Sequence, residues 1–171
     1  ASLLRQRVGF VPDTNQFYRW MTIGEILRFI APMYKSWRDG YVRSLLEVFD
    51  LDQKKKISQL SAGMLSKLSL LIAMAHQPEL LILDEPMTGL DPIARDDFVS
   101  AISRERSQRL LTVIFSSHQM SEVEHLASMI AIINRGKLLA NRPISELSQS
   151  VRRVRLVGYA GNEFELLAGN I

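Results

Sequence analysis

The residues best suited to chemistry are two adjacent carboxylates, Asp84 and Glu85, which directly follow the apolar run Leu80–Leu83. A short run of consecutive apolar residues is typical of a strand that is buried on both faces of a parallel sheet. Ligands of open α/β sheets bind at the carboxyl ends of such strands. At that edge, one carboxylate can hold Mg²⁺ through water while its neighbour orients or deprotonates an attacking water. Taken alone, such a pair is more often a polar strand end or a helix cap.

Other segments carry groups that suit phosphate chemistry. Ser61 and Gly63, in the run LSAGM, precede an apolar helical stretch over 65–76, and the first N–H groups of a helix can bind an anion. Asp91 closes the turn segment TGLD just after the carboxylates. His118 follows a second apolar run over 110–115, which would place an imidazole at the same edge of the sheet. Taken singly, these residues are a helix cap, a turn residue and a loop residue.

The elements that must position these groups follow from the apolar spacing along the chain. A strand over 7–11 is closed by Pro12 and Asp13. Thr22 and Glu25 form a capping box before a helix that ends at Pro32. Further elements are expected as helices over 37–49 and 95–107, a hairpin of 129–133 with 137–140, and a strand over 151–159. Strands that alternate with helices predict an α/β fold with a mainly parallel sheet and helices on its faces.

Composition limits the class of protein. The chain has 171 residues, of which 47% are hydrophobic and 23% charged, and this suits a folded globular domain. A net charge of only +3 gives no strong field for nucleic acid or an anionic membrane. The absence of cysteine excludes disulfides and Cys-ligated zinc. No window of about 18 apolar residues occurs, so a role at a membrane requires a partner that spans it.

The order of the motifs is more specific than any one of them. LSAGM, an apolar helix, LILDEP, TGLD, an apolar strand and SSH resemble the signature motif, Walker B motif, D-loop and H-loop of the ATP-binding-cassette (ABC) family. VGFVPD resembles the family's Q-loop strand, and IAIINRGKLLANRPISEL its closing hairpin and helix. The resemblance covers about residues 7–147 and implies a P-loop NTPase-like fold with a small helical subdomain at about 22–76. We therefore expect a partial ABC ATPase domain over 1–148 and an appendage of unknown role over 149–171.

The resemblance implies ATP and Mg²⁺ as cofactors and gives the carboxylates separate roles. Asp84 would hold Mg²⁺ through water, and Glu85 would be the catalytic base. His118 would contact the γ-phosphate. Asp13 stands where the family usually has Gln after the loop proline, so the Gln role is in doubt, although a carboxylate there can still contact the metal or its water.

The resemblance also implies partners. Ser61 and Gly63 would reach the γ-phosphate of a nucleotide bound by a second ATPase subunit in a head-to-tail dimer, and Asp91 would couple the two sites. Residues 22–60 would form the helical subdomain that docks on a membrane permease. Two alternatives remain for Phe17, Tyr18 and Trp20: they contact a permease helix, or they pack in the core of a small helical layer. The run MSEVEHLASMIAIINRGKLLA is most similar to exporter subunits. The expected location is peripheral, on the cytoplasmic side of the cell membrane, with no nucleic-acid partner.

The sequence departs from the family pattern in the phosphate-binding part. Ala62 and Met64 replace the usual Gly and Gln of the signature motif, while its Ser and second Gly are kept. A phosphate cradle needs GxxxxGK followed by Ser or Thr, but the one Gly-Lys pair, Gly136-Lys137, is followed by Leu138. We expect this Walker A loop, and the aromatic residue that stacks on adenine, to precede Ala1 in a longer protein. The 171-residue chain is accordingly expected to be inactive alone.

Three other functions compete with the exporter subunit. A non-hydrolysing remnant that pairs with or regulates an intact cassette would carry the same motifs. A soluble, translation-associated cassette protein would also carry them, although such proteins usually contain two cassettes in one chain. Chromosome-maintenance ATPases split the cassette with a long coiled coil, and the segment between Asp13 and Ser61 is too short and shows no sustained heptads.

Overall fold

A computed structural model describes residues 2–14, 16–146, 152–157 and 163–168. The first of two compact units, Ala1–His118, contains five helices and three strands within that described part. They are α1 (Ser2–Arg7), β1 (Val8–Val11), α2 (Ile23–Ile30), α3 (Asp39–Val48), α4 (Ala62–Met74), β2 (Leu80–Leu83), α5 (Pro92–Gln108) and β3 (Thr112–Phe115), with short 3₁₀ turns at Ala31–Met33 and Ile57–Gln59.

The three strands form one parallel sheet with β2 in the centre, which confirms the predicted mainly parallel sheet. Val11 pairs with Leu83, and Leu83 pairs with Phe115. The three strands therefore end on the same rung of the ladder. The residues that follow them lie along one edge of the sheet, the edge at which ligands of open α/β sheets bind.

The two faces of this sheet differ in burial. Leu81 and Leu83 are buried, and α4 packs against β1 on their side of the sheet. A Cβ on Gly9 would overlap the carbonyl oxygen of Ala73 in α4 and lie 2.9 Å from Leu81 Cδ1, so the helix backbone lies directly on β1. The opposite face exposes Phe10 and Ile114. In β2 itself, Leu80 and Ile82 are on this face and are half-buried, so the predicted burial of the central strand on both faces is complete on only one of them among the described residues.

Helix α2 begins where the sequence predicts. The hydroxyl of Thr22 accepts the backbone N–H of Glu25 at 3.2 Å, and the Glu25 carboxylate accepts the backbone N–H of Thr22 at 2.7 Å. This confirms the capping box. The pKa of Glu25 is lowered, first by the Thr22 backbone N–H and then by its hydroxyl, since both bonds favour the charged carboxylate. Ile23, Ile26 and Leu27 are buried beneath the helix.

Two helices begin earlier than predicted because a side chain caps each of them. Helix α4 begins at Ala62 instead of 65, and α5 begins at Pro92 instead of 95. Ser61 and Asp91 are the N-caps and accept hydrogen bonds from backbone N–H groups three residues later. Proline suits the first position of α5, because its missing N–H would have no partner there.

A buried histidine just after α4 contacts β1. The ring of His76 is 1% exposed, stacks on Tyr34 with centroids 4.1 Å apart, and has Nε2 3.2 Å from the carbonyl oxygen of Val8. Since a carbonyl only accepts, Nε2 carries the hydrogen. Burial lowers the pKa of His76, and the charge of Arg109 lowers it further against the opposing bond to Val8.

The second unit, Gln119–Ile171, contains helix α6 (Met120–Leu126) and two antiparallel strand pairs. Strands β4 (Met129–Asn134) and β5 (Lys137–Pro143) form the predicted hairpin. Its turn has positive φ at Arg135 and Gly136, the geometry of the two-residue turns that match strand twist. Strands β6 (Arg152–Val157) and β7 (Glu163–Ala168) pair with each other. The ends of the strand predicted over 151–159 lie outside the described residues.

Candidate functional site

The candidate carboxylates lie at the edge of the sheet, directly after β2. Asp84 is exposed and Glu85 is partly buried. Glu85 has a φ of 45°, in the left-handed region that residues other than glycine seldom adopt. Such a conformation costs about 1–3 kcal/mol and persists where the surrounding structure holds it. The backbone at Glu85 is therefore held in place by its neighbours.

One of these neighbours is Ser116, the first residue after β3. Its hydroxyl accepts the backbone N–H of Glu85 at 2.8 Å and donates to Oδ1 of Asp84, also at 2.8 Å. The directions are fixed, since a hydroxyl has one hydrogen to donate and an ionised carboxylate only accepts. A single side chain thus joins both members of the carboxylate pair.

The side chain of Glu85 is held by two further groups. Nδ1 of His118 lies 2.8 Å from Oε2 of Glu85, and the hydroxyl of Thr88 donates to the same oxygen at 3.1 Å. Because the carboxylate accepts, Nδ1 of His118 carries the hydrogen in this contact. The imidazole is 64% exposed, so its second nitrogen, Nε2, remains accessible. We call Asp84, Glu85, Ser116 and His118 the carboxylate edge.

The carboxylate edge suits a magnesium ion that is bound mostly by water and by the phosphates of a substrate. No group of three or more potential metal-binding side chains occurs among the described residues. Mg²⁺ keeps several waters and is usually bound by one or two carboxylates together with substrate phosphates. Asp84 is exposed and uses Oδ1 for Ser116, which leaves Oδ2 for a metal-bound water.

Ser61, Gly63 and Asp91 lie together at a second place, where α4 and α5 begin. A Cβ on Gly63 would lie 3.1 Å from Cβ of Ala94, so the first turns of the two helices are in contact. The Ser61 hydroxyl accepts the N–H of Met64 at 3.2 Å, and Asp91 accepts the N–H of Ala94 at 2.8 Å. We call this region the paired helix starts.

Asp13, the candidate in the loop after β1, is exposed. It follows Val11 by two residues, and Val11 lies on the last rung of the sheet beside Leu83. The Val11 carbonyl accepts the backbone N–H of Asp84 at 2.9 Å. The loop therefore starts next to the carboxylate edge, and the role of Asp13 stays a prediction.

The sequence interpretation missed two residues, Ser116 and Thr88. Both lie inside motifs that were recognised, as the first serine of SSH and the threonine of TGLD. The available signal was the position of Ser116 directly after an apolar strand, which is the position that Asp84 occupies after its own strand. Parallel strands in register would bring two such residues side by side.

An aromatic patch is exposed on the segment before α2 and on α2 itself. It consists of Tyr18, Trp20 and Phe29, which are 56%, 70% and 50% exposed. The Tyr18 ring centroid lies 6.0 Å from that of Trp20 and 6.3 Å from that of Phe29. Core packing, one of the two expectations for Tyr18 and Trp20, is therefore wrong. Exposed apolar patches commonly mark sites of protein or membrane interaction.

Among the described residues, no helix combines the length and the hydrophobicity needed to cross a bilayer. The family model described as ABC transporter matches residues 1–88, which include Asp84 and Glu85 and stop before Asp91. A solved structure of an ATP-binding subunit of an ABC transporter superposes with a TM-score of 0.76 at 25% identity and covers 86% of this chain and 63% of that one.

Relatives with described functions are similar over most of the chain. The bacitracin transport ATP-binding protein BcrA of Enterococcus faecalis is 35% identical over 170 residues, which is 98% of this chain and 53% of that protein. The linearmycin resistance ATP-binding protein LnrL of Bacillus subtilis is 34% identical over 141 residues, 80% of this chain and 45% of that protein. The chain thus spans about half the length of these relatives.

Proposed function

The chain belongs to the ABC transporter family of ATP-binding proteins, and we propose that it is the hydrolytic part of an ATPase subunit that powers a membrane exporter. The observation that carries this proposal is the carboxylate edge, where the Glu85 carboxylate is held by His118 and Thr88 beside Asp84. Similarity to subunits named for bacitracin transport and linearmycin resistance supports an exporter.

In this proposal each residue of the edge has one task. Glu85 takes the proton of the attacking water, and the two donors on its Oε2 keep its carboxylate in one orientation. His118 donates to the γ-phosphate through Nε2 and to Glu85 through Nδ1, which together require the imidazolium form. Asp84 holds Mg²⁺ through water, and Asp13 contacts the metal or its water. When bound, Mg²⁺ neutralises the charge that develops on the phosphates.

The paired helix starts serve the partner's nucleotide. Ser61 is exposed at the N-terminus of a 13-residue helix, where unpaired N–H groups and the helix dipole favour an anion. We propose that Ser61 and Gly63 face the γ-phosphate bound by a second ATPase subunit. Asp91, on the adjoining helix, would transmit the state of one site to the other. The active enzyme is then a head-to-tail dimer.

The aromatic patch is the proposed docking surface for the permease. An amphipathic permease helix on the cytoplasmic side would cover Tyr18 and Trp20 with its apolar face. Trp20→Ala should reduce co-purification with the permease while ATP hydrolysis by the ATPase subunit alone is unchanged. Val48→Ala is the matched control, since Val48 is also an exposed apolar residue of the helical segment. Equal co-purification by both variants would contradict this docking surface.

The phosphate cradle is proposed to come from an upstream Walker A loop of the same longer protein. The 171-residue chain has no GxxxxGK, so it should neither bind Mg-ATP tightly nor hydrolyse it alone. An in-frame Walker A coding sequence before Ala1 is expected, and a stop codon or unrelated sequence there would contradict it.

The proposed function is tested by measuring ATP hydrolysis of the purified full-length protein, with and without its permease. Turnover that requires Mg²⁺ and is lost on chelation is the expected result. The 171-residue chain, measured in parallel, should remain at background. A full-length protein that binds ATP without hydrolysing it, even with the permease, would instead be the non-hydrolysing pairing subunit, and the exporter ATPase would be rejected.

A further inference from the structure

We infer that Ser116 is a positioning residue for Glu85, and this inference rests on the proposed hydrolysis of ATP at the carboxylate edge. The Ser116 hydroxyl accepts the backbone N–H of Glu85 and donates to the carboxylate of Asp84. Both of these partners are protein groups. Its effect on the reaction would be exerted through the residues that it holds.

The parallel ladder explains why a serine is needed at this point. The backbone N–H of Ser116 donates to the carbonyl of Leu83, and the N–H of Asp84 donates to the carbonyl of Val11, which completes the regular pairing at the end of β2. The next residue, Glu85, turns into the left-handed conformation and leaves the ladder. Its N–H then needs another acceptor, and the Ser116 hydroxyl provides one at 2.8 Å.

The two hydrogen bonds of the Ser116 hydroxyl, which we call the Ser116 bridge, set the position of the proposed base Glu85 relative to Asp84, the residue proposed to hold the metal. With the hydroxyl present, the Glu85 backbone and the Asp84 carboxylate share one atom as a hydrogen-bond partner. Without it, the strained turn at Glu85 loses a restraint, and Asp84 loses the donor that orients its Oδ1. A misplacement of about 1 Å can cost about 10²-fold in rate. The loss should appear in turnover, because neither bond involves the nucleotide.

The test compares Ser116→Ala with Ser116→Thr in the full-length protein. Ser116→Ala should lower kcat by about 10-fold to 10²-fold, with KM and equilibrium ATP affinity nearly unchanged. Ser116→Thr keeps the hydroxyl and should recover most of the rate. Ser107→Ala is the matched control, since it removes a serine hydroxyl that bonds only a carbonyl of its own helix. If Ser116→Ala does not fold, Ser116→Cys replaces it, because a thiol is a weak hydrogen-bond partner.

Amide hydrogen exchange gives a readout that does not depend on turnover. The Glu85 N–H should exchange faster in Ser116→Ala or Ser116→Cys than in the wild type or Ser116→Thr. Equal exchange and equal kcat in the wild type and Ser116→Ala would overturn the inference, as would a loss of ATP affinity as large as the loss of kcat. A wild type without ATP hydrolysis would reject the proposed function, while the exchange rates would still decide whether Ser116 holds Glu85.

Discussion

The carboxylate edge and the paired helix starts differ in the range of their hydrogen bonds. At the edge, the bonds join residues 31, 32 and 33 positions apart along the chain. At the helix starts, Ser61 and Asp91 each bond a backbone N–H three positions away. The first arrangement exists only when β2 and β3 are paired. The second forms wherever a helix begins with such a residue.

This difference shows which candidates need a functional explanation. Capping by itself accounts for Ser61 and Asp91, because it satisfies N–H groups that every helix leaves unpaired. Stability does not account for the edge, since its side-chain bonds are exposed and net contributions of hydrogen bonds are small. The left-handed backbone at Glu85 is itself unfavourable. The edge is therefore the stronger evidence for catalysis.

The largest expected effect tests the edge directly. In the full-length protein, Glu85→Gln keeps the size of the side chain and removes the proposed base, so hydrolysis should fall by about 10²-fold to 10⁴-fold. ATP binding measured without turnover should be nearly unchanged. Glu79→Gln is the control, since Glu79 is an exposed carboxylate that pairs with Arg7. Turnover in Glu85→Gln at the wild-type rate would remove Glu85 from the mechanism.

The next effect shows whether the helix starts are more than caps. Ser61→Arg should block closure of the proposed dimer on the partner's γ-phosphate and lower hydrolysis by about 10²-fold or more, while ATP binding to the monomer persists. In a Glu85→Gln background it should also suppress ATP-driven dimerisation in size-exclusion chromatography. Ser61→Ala removes only the cap and should cost about 1 kcal/mol of stability. A double variant that still dimerises with ATP would leave Ser61 as a cap.

A smaller effect tests the packing of α4 on β1, the strand that pairs with β2 next to the carboxylate edge. Gly9→Ala should destabilise the protein by about 1–3 kcal/mol, because the added methyl overlaps the backbone oxygen of Ala73. Gly40→Ala is the matched control, since a Cβ there meets only Nη2 of Arg43 at 3.9 Å and alanine favours the helix. Chemical denaturation of both variants compares them. Equal stability would mean that α4 can move away from β1 at no cost.

The smallest expected effect is a pH dependence of the protein's stability that arises at His76, just after the C-terminal end of α4. His76 is buried and its pKa is lowered, so the folded protein binds its proton less readily than the unfolded chain. The stability that the uncharged, buried His76 contributes is fully present above the ordinary histidine pKa of about 6.5. It is lost as the pH falls from there through the lowered pKa. Denaturation between about pH 5 and 8 should show a steeper loss in the wild type than in His76→Gln, and parallel curves would contradict this.

The sequence predicted the elements of both regions and only part of their contacts. The capping box at Thr22 and the hairpin of β4 and β5 were predictable, because their signals lie within a few residues. The caps at Ser61 and Asp91 show why helix boundaries were not. Apolar spacing does not record a cap, so the predicted starts at 65 and 95 lie inside helices that begin at Ala62 and Pro92, directly after their caps. The bridge through Ser116 depends on strand register, which no local pattern contains.

The pairing register of β2 and β3 limits where residues can be inserted into or deleted from this chain. Leu83 is paired with Phe115, and Asp84 and Ser116 follow on the next rung. Side chains alternate between the two faces of a sheet, so a one-codon deletion within β3 would turn the serine to the wrong side. A deletion at 35–36, in the segment that joins α2 to α3 away from the sheet, would leave this register unchanged. Insertions and deletions among natural versions of this protein should therefore gather in the loops, while the spacing from each strand to its polar end stays constant.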